Sequence, residues 1–138
     1  MTTEEKNLLL KDLCARLTYG VKVCYRLSDK DKPITETLSG HMLDYFNENS
    51  IIEVKPYLRP MSSMTIKELN ECVVLSGLSE LQKVDYTTNE EQKRLEHSIN
   101  VFLCDAKQID WLNAHHFDYR GLIPMGLAQE APEGMYNN

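Results

Sequence analysis

Helix starts are marked at three places in this chain by a threonine followed three positions later by a glutamate, at the head of a run in which apolar residues recur every three or four positions: Thr2/Glu5, Thr65/Glu68 and Thr88/Glu91. At that spacing the hydroxyl accepts from a free N–H of the first helical turn and the carboxylate reaches back to the threonine N–H, so each pair marks a helix start. The first helix is expected to carry Leu9, Leu10, Leu13, Cys14 and Leu17 and to stop at Gly20. The second carries Ile66, Leu69 and Val73 and ends near Gly77. After it, Leu78, Leu81 and Val84 fit a helical turn and an extended piece equally well. In the third, Leu95, Ile99, Phe102, Leu103, Ala106 and Ile109 fall in a stripe about 120° wide, as in a helix resting on a core. Trp111 lies almost opposite that stripe and needs a cover other than the main core.

Between the first two helices the period changes from 3.6 to 2. Val21, Val23, Tyr25 and Leu27 alternate with Lys22, Cys24 and Arg26, which reads as a strand with one wet face. A polar turn from Ser28 to Pro33 leads to a second extended stretch, Ile34 to Phe46, whose parity changes at Ser39-Gly40 as at a β-bulge. A third strand, Ile51 to Val54, follows an Asn-Glu-Asn-Ser turn. The expected fold is therefore α+β: an N-terminal helix, a three-stranded antiparallel meander, then two or three helices and an ordered C-terminal tail.

With 138 residues and 42% apolar content, the chain is sized for one domain with its own core, over residues 1–138. The N-terminus is acidic and polar, unlike a secretory signal, and no apolar run approaches the ~20 residues of a membrane helix. The four cysteines, Cys14, Cys24, Cys72 and Cys104, form no Cys-x-x-Cys pair and read as reduced structural thiols, which points to the cytoplasm. The formal charge is −6, and residues 87–138 carry most of the acid excess. The most basic cluster, Lys22, Arg26, Lys30 and Lys32, is interrupted by Asp29 and Asp31, so nucleic-acid binding through the Lys22/Arg26 face is a weak expectation.

Motifs of catalysis are missing. Ser39-Gly40-His41 is not a nucleophile elbow, and the stretch from Gly121 to Gly126 lacks the lysine and hydroxyl of a phosphate loop. No cofactor is expected. His115 and His116 with Asp118 resemble a metal cluster, but adjacent helical residues point about 100° apart, and both histidines suit a helix end. His97 shares a face with His115 at about 27 Å along a straight helix. A small metal-dependent hydrolase built from His41, His115 or His116 with nearby acids is the alternative class, and a distant acid pair such as Asp44 with Asp105 has no local support.

Two segments exceed what a plain core requires. Lys55-Pro56-Tyr57-Leu58-Arg59-Pro60-Met61 reads as a stiff connector, because two prolines fix φ and bias their neighbours toward extended geometry. Tyr57 and Arg59 are residue types enriched at interface hot spots. The C-terminal segment from Phe117 has the helix breakers Pro124, Gly126, Pro132 and Gly134, yet also Leu122, Ile123, Met125, Leu127, Met135 and Tyr136. Residues 124–138 are expected to pack on the domain, covering Trp111, or on a partner. Asp118 and Arg120 are placed for a local ion pair.

Leu8-Leu-Leu-Lys-Asp-Leu-Cys-Ala-Arg-Leu17 with Tyr19-Gly-Val-Lys-Val23, then Lys55 to Thr65, then Trp111 to Ile123 with Gly126-Leu-Ala and Glu130 to Tyr136, together resemble a group of uncharacterised small proteins of gut Bacteroidetes associated with phage-like and other mobile regions. The matching blocks cover about half of the chain. The resemblance implies a bacterial or phage-derived cytoplasmic protein and no activity. The functional expectation is thus a non-enzymatic interaction or accessory protein that contacts a protein partner, or a second copy, through Tyr57, Arg59, Phe117, Tyr119 and Arg120.

Overall fold

The computed structural model describes residues 1–74 and 106–136. The Thr88/Glu91 helix start, the stretch Leu78–Val84, most of the Leu95–Ile109 stripe, His97, Cys104 and Asp105 lie outside the described residues.

Helix α1 (Thr3–Arg16) begins as its sequence dictates, with the Thr2 hydroxyl accepting from the Glu5 N–H at 3.0 Å. A 3-10 turn (Leu17–Tyr19) and Gly20, at φ 74°, bring the chain out of it, a left-handed conformation that glycine adopts without Cβ strain. The buried face of α1 is Leu9, Asp12, Leu13 and Arg16, a stripe at helical spacing that includes two charges; Cys14 is exposed.

Strands β1 (Lys22–Arg26) and β2 (Ile34–Thr37) form an antiparallel hairpin in the register Val23↔Glu36. The expected wet face of β1 is not uniform, because Cys24 is buried between Lys22 and Arg26. From Gly40 the chain departs from the expected strand. Residues Gly40–Asn47 form helix α2, with Leu38, Met42 and Phe46 buried at intervals of four. The change of parity at Ser39-Gly40 is thus the onset of a 3.6 period and not a bulge. The helix ends where Asn49, at φ 60°, donates to the Phe46 carbonyl while Ser50 donates to Tyr45, a left-handed cap with asparagine in the place usual for glycine.

Strand β3 (Ile52–Leu58) takes in the first half of the expected connector. It pairs antiparallel with β1, on the side away from β2, and parallel with the two-residue β4 (Gln129–Glu130), so the strand order is β2-β1-β3-β4. The sheet is mixed and four-stranded, in place of the expected meander. Since β2 and β3 both run antiparallel to β1, the β2–α2–β3 connection is a crossover passing β1. Pro56 is tolerated because it sits opposite Val23 and β4 begins to pair only at Tyr57, leaving no ladder bond for its missing N–H to make on that side. The bulge of this sheet is in β3. Between Cys24↔Lys55 and Arg26↔Ile52 it has one residue more than β1, and Glu53 there is left-handed at φ 54°.

The main core lies between α1, α2 and the sheet, with Leu9, Leu13, Val23, Phe46, Val54, Leu58 and, from the C-terminal segment, Leu122 and Leu127. A second core joins helix α3 (Ile66–Val74) to helix α4 (Ala106–Ala114) through Met64, Leu69, Leu112 and Phe117. The start of α3 is a complete reciprocal box: the Glu68 N–H donates to the Thr65 hydroxyl and the Thr65 N–H to the Glu68 carboxylate, both at 3.1 Å. In α4 the buried positions are Gln108, Leu112 and Asn113, whereas Ala106, expected on the core stripe, is exposed. The Gln108 amide donates to the Cys72 carbonyl of α3, so a hydrogen bond between helices sets this face. Trp111 packs on the second core, stacked on His115 and Phe117.

Candidate functional site

The end of α4 determines how the two segments of interest meet. His116, left-handed at φ 63°, donates to Asn113, and the next N–H, of Phe117, donates to Leu112. This pair of bonds is commonly accompanied by an apolar contact between the residues in the places of Phe117 and Leu112, and both rest in the second core. Phe117 is therefore fully buried, and its ring is a core element and not a contact face.

The turn throws His116–Asp118 alongside Arg59. Arg59 donates its N–H to the His116 carbonyl at 2.7 Å, and the Asp118 N–H donates to the Arg59 carbonyl at 2.8 Å, an isolated parallel bridge. The Arg59 guanidinium lies 4.2 Å from the centre of the Phe117 ring and forks onto both oxygens of Glu68 at 2.7 and 2.8 Å. Burial pushes the Glu68 carboxyl up, but the Arg59 fork and the Thr65 N–H outweigh it and leave it below the usual range.

Tyr119 and Arg120 meet a pair of charges that sequence reading did not single out. Asp12, fully buried in α1, takes Arg16 Nε on one oxygen at 2.9 Å and Arg120 Nε on the other at 3.1 Å. Arg16 also donates to the Phe117 carbonyl at 2.6 Å, and Arg120 to the Tyr119 hydroxyl at 3.2 Å, which itself donates to Asn113 Oδ1 at 2.9 Å. Both guanidinium groups lie near the Tyr119 ring, at 5.1 and 4.9 Å from its centre. The expected Asp118–Arg120 pair does not form. Both Asp118 oxygens accept main-chain donors instead, Leu122 N–H at 2.8 Å and Ile123 N–H at 2.9 Å, which fixes the turn after it. The spacing of Leu9, Asp12, Leu13 and Arg16 was the available signal for the buried pair, since the charges fall within the apolar stripe.

Tyr57 is half-buried in β3, and its carbonyl accepts the Tyr136 hydroxyl at 2.7 Å, while the same hydroxyl accepts the Lys22 N–H at 2.9 Å. Tyr136 stacks on His116 with ring centres 3.7 Å apart. Burial pushes its phenol up to about 12. Burial, then the charges of Arg16, His115 and Arg59, push the His116 imidazole down to about 4, and its Nδ1 has no partner among the described residues. The last described residues thus lie against the sheet and His116, and the ring packed on Trp111 from this part of the chain is Phe117.

Where the two segments adjoin, Pro60, Met61, Tyr119, Arg120, Ile123 and Pro124 border an open cleft of about 400 Å³. Tyr119 and Arg120 are half-buried there, and Pro124 is exposed.

The histidines go to separate surroundings: His41 is exposed on α2, His115 is stacked on Trp111, and His116 is buried. Among the described residues no three His, Cys, Asp or Glu side chains are grouped to hold a metal ion. Cys14, Cys24 and Cys72 are free thiols, and burial pushes Cys72 up to about 11, away from the reactive thiolate. On the Lys22/Arg26 face, Arg26 pairs with Glu53 at 2.9 Å. No described helix is long and apolar enough to cross a membrane. No family model, curated protein or solved structure matches this chain.

Proposed function

We propose that the chain is a non-catalytic interaction protein of the bacterial cytoplasm, of phage or mobile-element association, that takes a segment of a protein partner or of a second copy into the cleft between the Pro60 and Pro124 turns. One observation carries this reading: two segments about 60 residues apart in sequence border one cleft, the first through Pro60 and Met61 and the second through Tyr119 and Arg120, while Tyr57 and Arg59 are not part of its lining. The groups of this region that could do chemistry are engaged elsewhere. Arg59 is held by Glu68, Asp118 by two main-chain N–H groups, and Asp12 by two arginines. Walls of proline, methionine and tyrosine with one arginine edge suit an apolar side chain beside a polar main chain. The free thiols support a reducing compartment, and the resemblance to the Bacteroidetes group supports the bacterial setting.

The test is a photoreactive benzophenone amino acid placed at Pro124, on the cleft rim, and separately at Thr37, exposed on the far edge of the sheet. Discrete adducts from position 124 alone are expected after irradiation in the source cells, and an adduct of twice the chain mass identifies a second copy. Equal labelling from both positions, or none from 124, overturns the proposal.

A further inference from the structure

A second opening lies elsewhere on the molecule, between the first turns of α1, the α2–β3 turn and the turn at 125–127. It measures about 460 Å³, within the range of sites that hold a ligand group. Its floor is the main core itself: Leu9 and Val54 are at most 2% exposed, and Phe46, Ile51 and Leu127 form the walls. At its rim stand two of the four exposed large apolar side chains among the described residues, Met1 at 68% and Met125 at 50%. Unbranched thioethers at the edge of a core-deep groove adapt to side chains of different shape.

The charges at the mouth are uneven. Glu53 also borders the groove, and its carboxylate is paired with Arg26 at 2.9 Å. Lys6 is held at the mouth by neutral groups, donating to Asn49 Oδ1 at 2.7 Å with its ammonium 5.2 Å from the centre of the Phe46 ring. Lys55 also borders the groove, and neither lysine pairs with a carboxylate among the described residues. Glu5, the remaining acid, sits in the first turn of α1, where the helix dipole already offsets its charge.

We propose that this groove docks a polypeptide segment of a partner that presents a large apolar side chain flanked by acidic residues. The apolar side chain replaces water over Leu9, Val54 and Leu127, and the flanking carboxylates meet Lys6 and Lys55. A polypeptide is favoured over a lipid chain because the polar groups of Glu5, Asn49 and Lys55 border the apolar floor, where a main chain has donors and acceptors to meet them and a lipid chain has none. This site is separate from the Pro60–Pro124 cleft and does not depend on it.

The experiment uses the full chain with ¹³C-methyl methionine and three synthetic peptides: one alternating Glu and Asp with Leu and Phe, the same peptide with Lys for each acid, and the acidic peptide with Ala for Leu and Phe. Saturable binding of the first is expected, with a shift of the Met125 methyl signal and affinity at least roughly tenfold above the other two. In Lys6→Glu/Lys55→Glu protein the preference for acid over base is expected to invert, and in Met125→Lys protein, altered only at an exposed position, binding of the first is expected to weaken. Equal binding of acidic and basic peptides, an unmoved Met125 signal, a shift produced by dodecanoate but not by the peptide, or a shift that tracks self-association alone overturns the proposal.

Discussion

The Tyr136 hydroxyl stands between two strands, donating 2.7 Å to the Tyr57 carbonyl of β3 while accepting the Lys22 N–H of β1 at 2.9 Å. By the register Val23↔Pro56, Lys22 and Tyr57 are the next pair of that ladder. A phenol from the far end of the chain thus occupies a rung the two main chains would otherwise close themselves. Stacking on His116 holds the ring in place.

Tyr136→Phe retains the stack and removes the bridge, leaving a donor and an acceptor facing each other too far apart to bond. A loss of about 1–3 kcal/mol is expected, measured by urea unfolding. A midpoint equal to that of the parent chain would show that water replaces the hydroxyl without cost.

Asp12 is the sole described carboxylate bonded to Arg16 and Arg120. Asp12→Asn leaves a fully buried guanidinium without its counter-charge, and a loss of about 3–5 kcal/mol is expected. Replacing Asp12 and Arg16 together with Leu and Met removes both buried charges, and the double variant is expected to unfold at higher denaturant than Asp12→Asn. If it is the less stable of the two, the pair is net stabilising beyond its desolvation.

His116 gives acid sensitivity of a definite sign. Its imidazole, near 6.5 in an unfolded chain, is held at about 4 in the fold, so the unfolded state binds the extra proton between those values. Its contribution is complete above pH 6.5 and is lost as the pH falls toward 4, by roughly 2–3 kcal/mol. Glu68, whose carboxyl is held low, adds its own loss only below its ordinary range near 4.5. Stability measured from pH 7 to 5 is expected to fall in the parent and to be flat in His116→Gln. An identical slope in both would assign the effect to other groups.

Local rules were legible in the sequence, and those that depend on distant parts of the chain were not. The Thr2 and Thr65 caps and the Gly20 stop are decided within a few residues and stand where the spacing places them. Helix α2 was hidden because Leu43 and Tyr45 alternate as in a strand, so that the change of parity after Leu38 also fits a bulge, whereas the buried Leu38, Met42 and Phe46 stand four apart. The strand order depends on β3 passing to the other side of β1, which no local signal records. In the candidate site, Arg59, Tyr119 and Arg120 were legible as residue types able to bind. That Phe117 is enclosed against Leu112 follows from the cap at His116, where histidine takes a conformation more usual for glycine, and Arg59 is held by the Glu68 carboxylate of the box that opens α3. Asp12 and Arg16 were passed over because charged side chains are by default assigned to solvent.

The carboxylate that pairs with Arg16 in the first helix receives its second arginine from 108 positions downstream. While the polypeptide emerges from the ribosome, that helix lacks Arg120, and it lacks the Leu122 and Leu127 side chains that share the main core with its Leu9 and Leu13. Helix α1 is therefore made well before the residues that consolidate it, so a stalled nascent chain carries an uncovered, charged seam for chaperones and proteases to find.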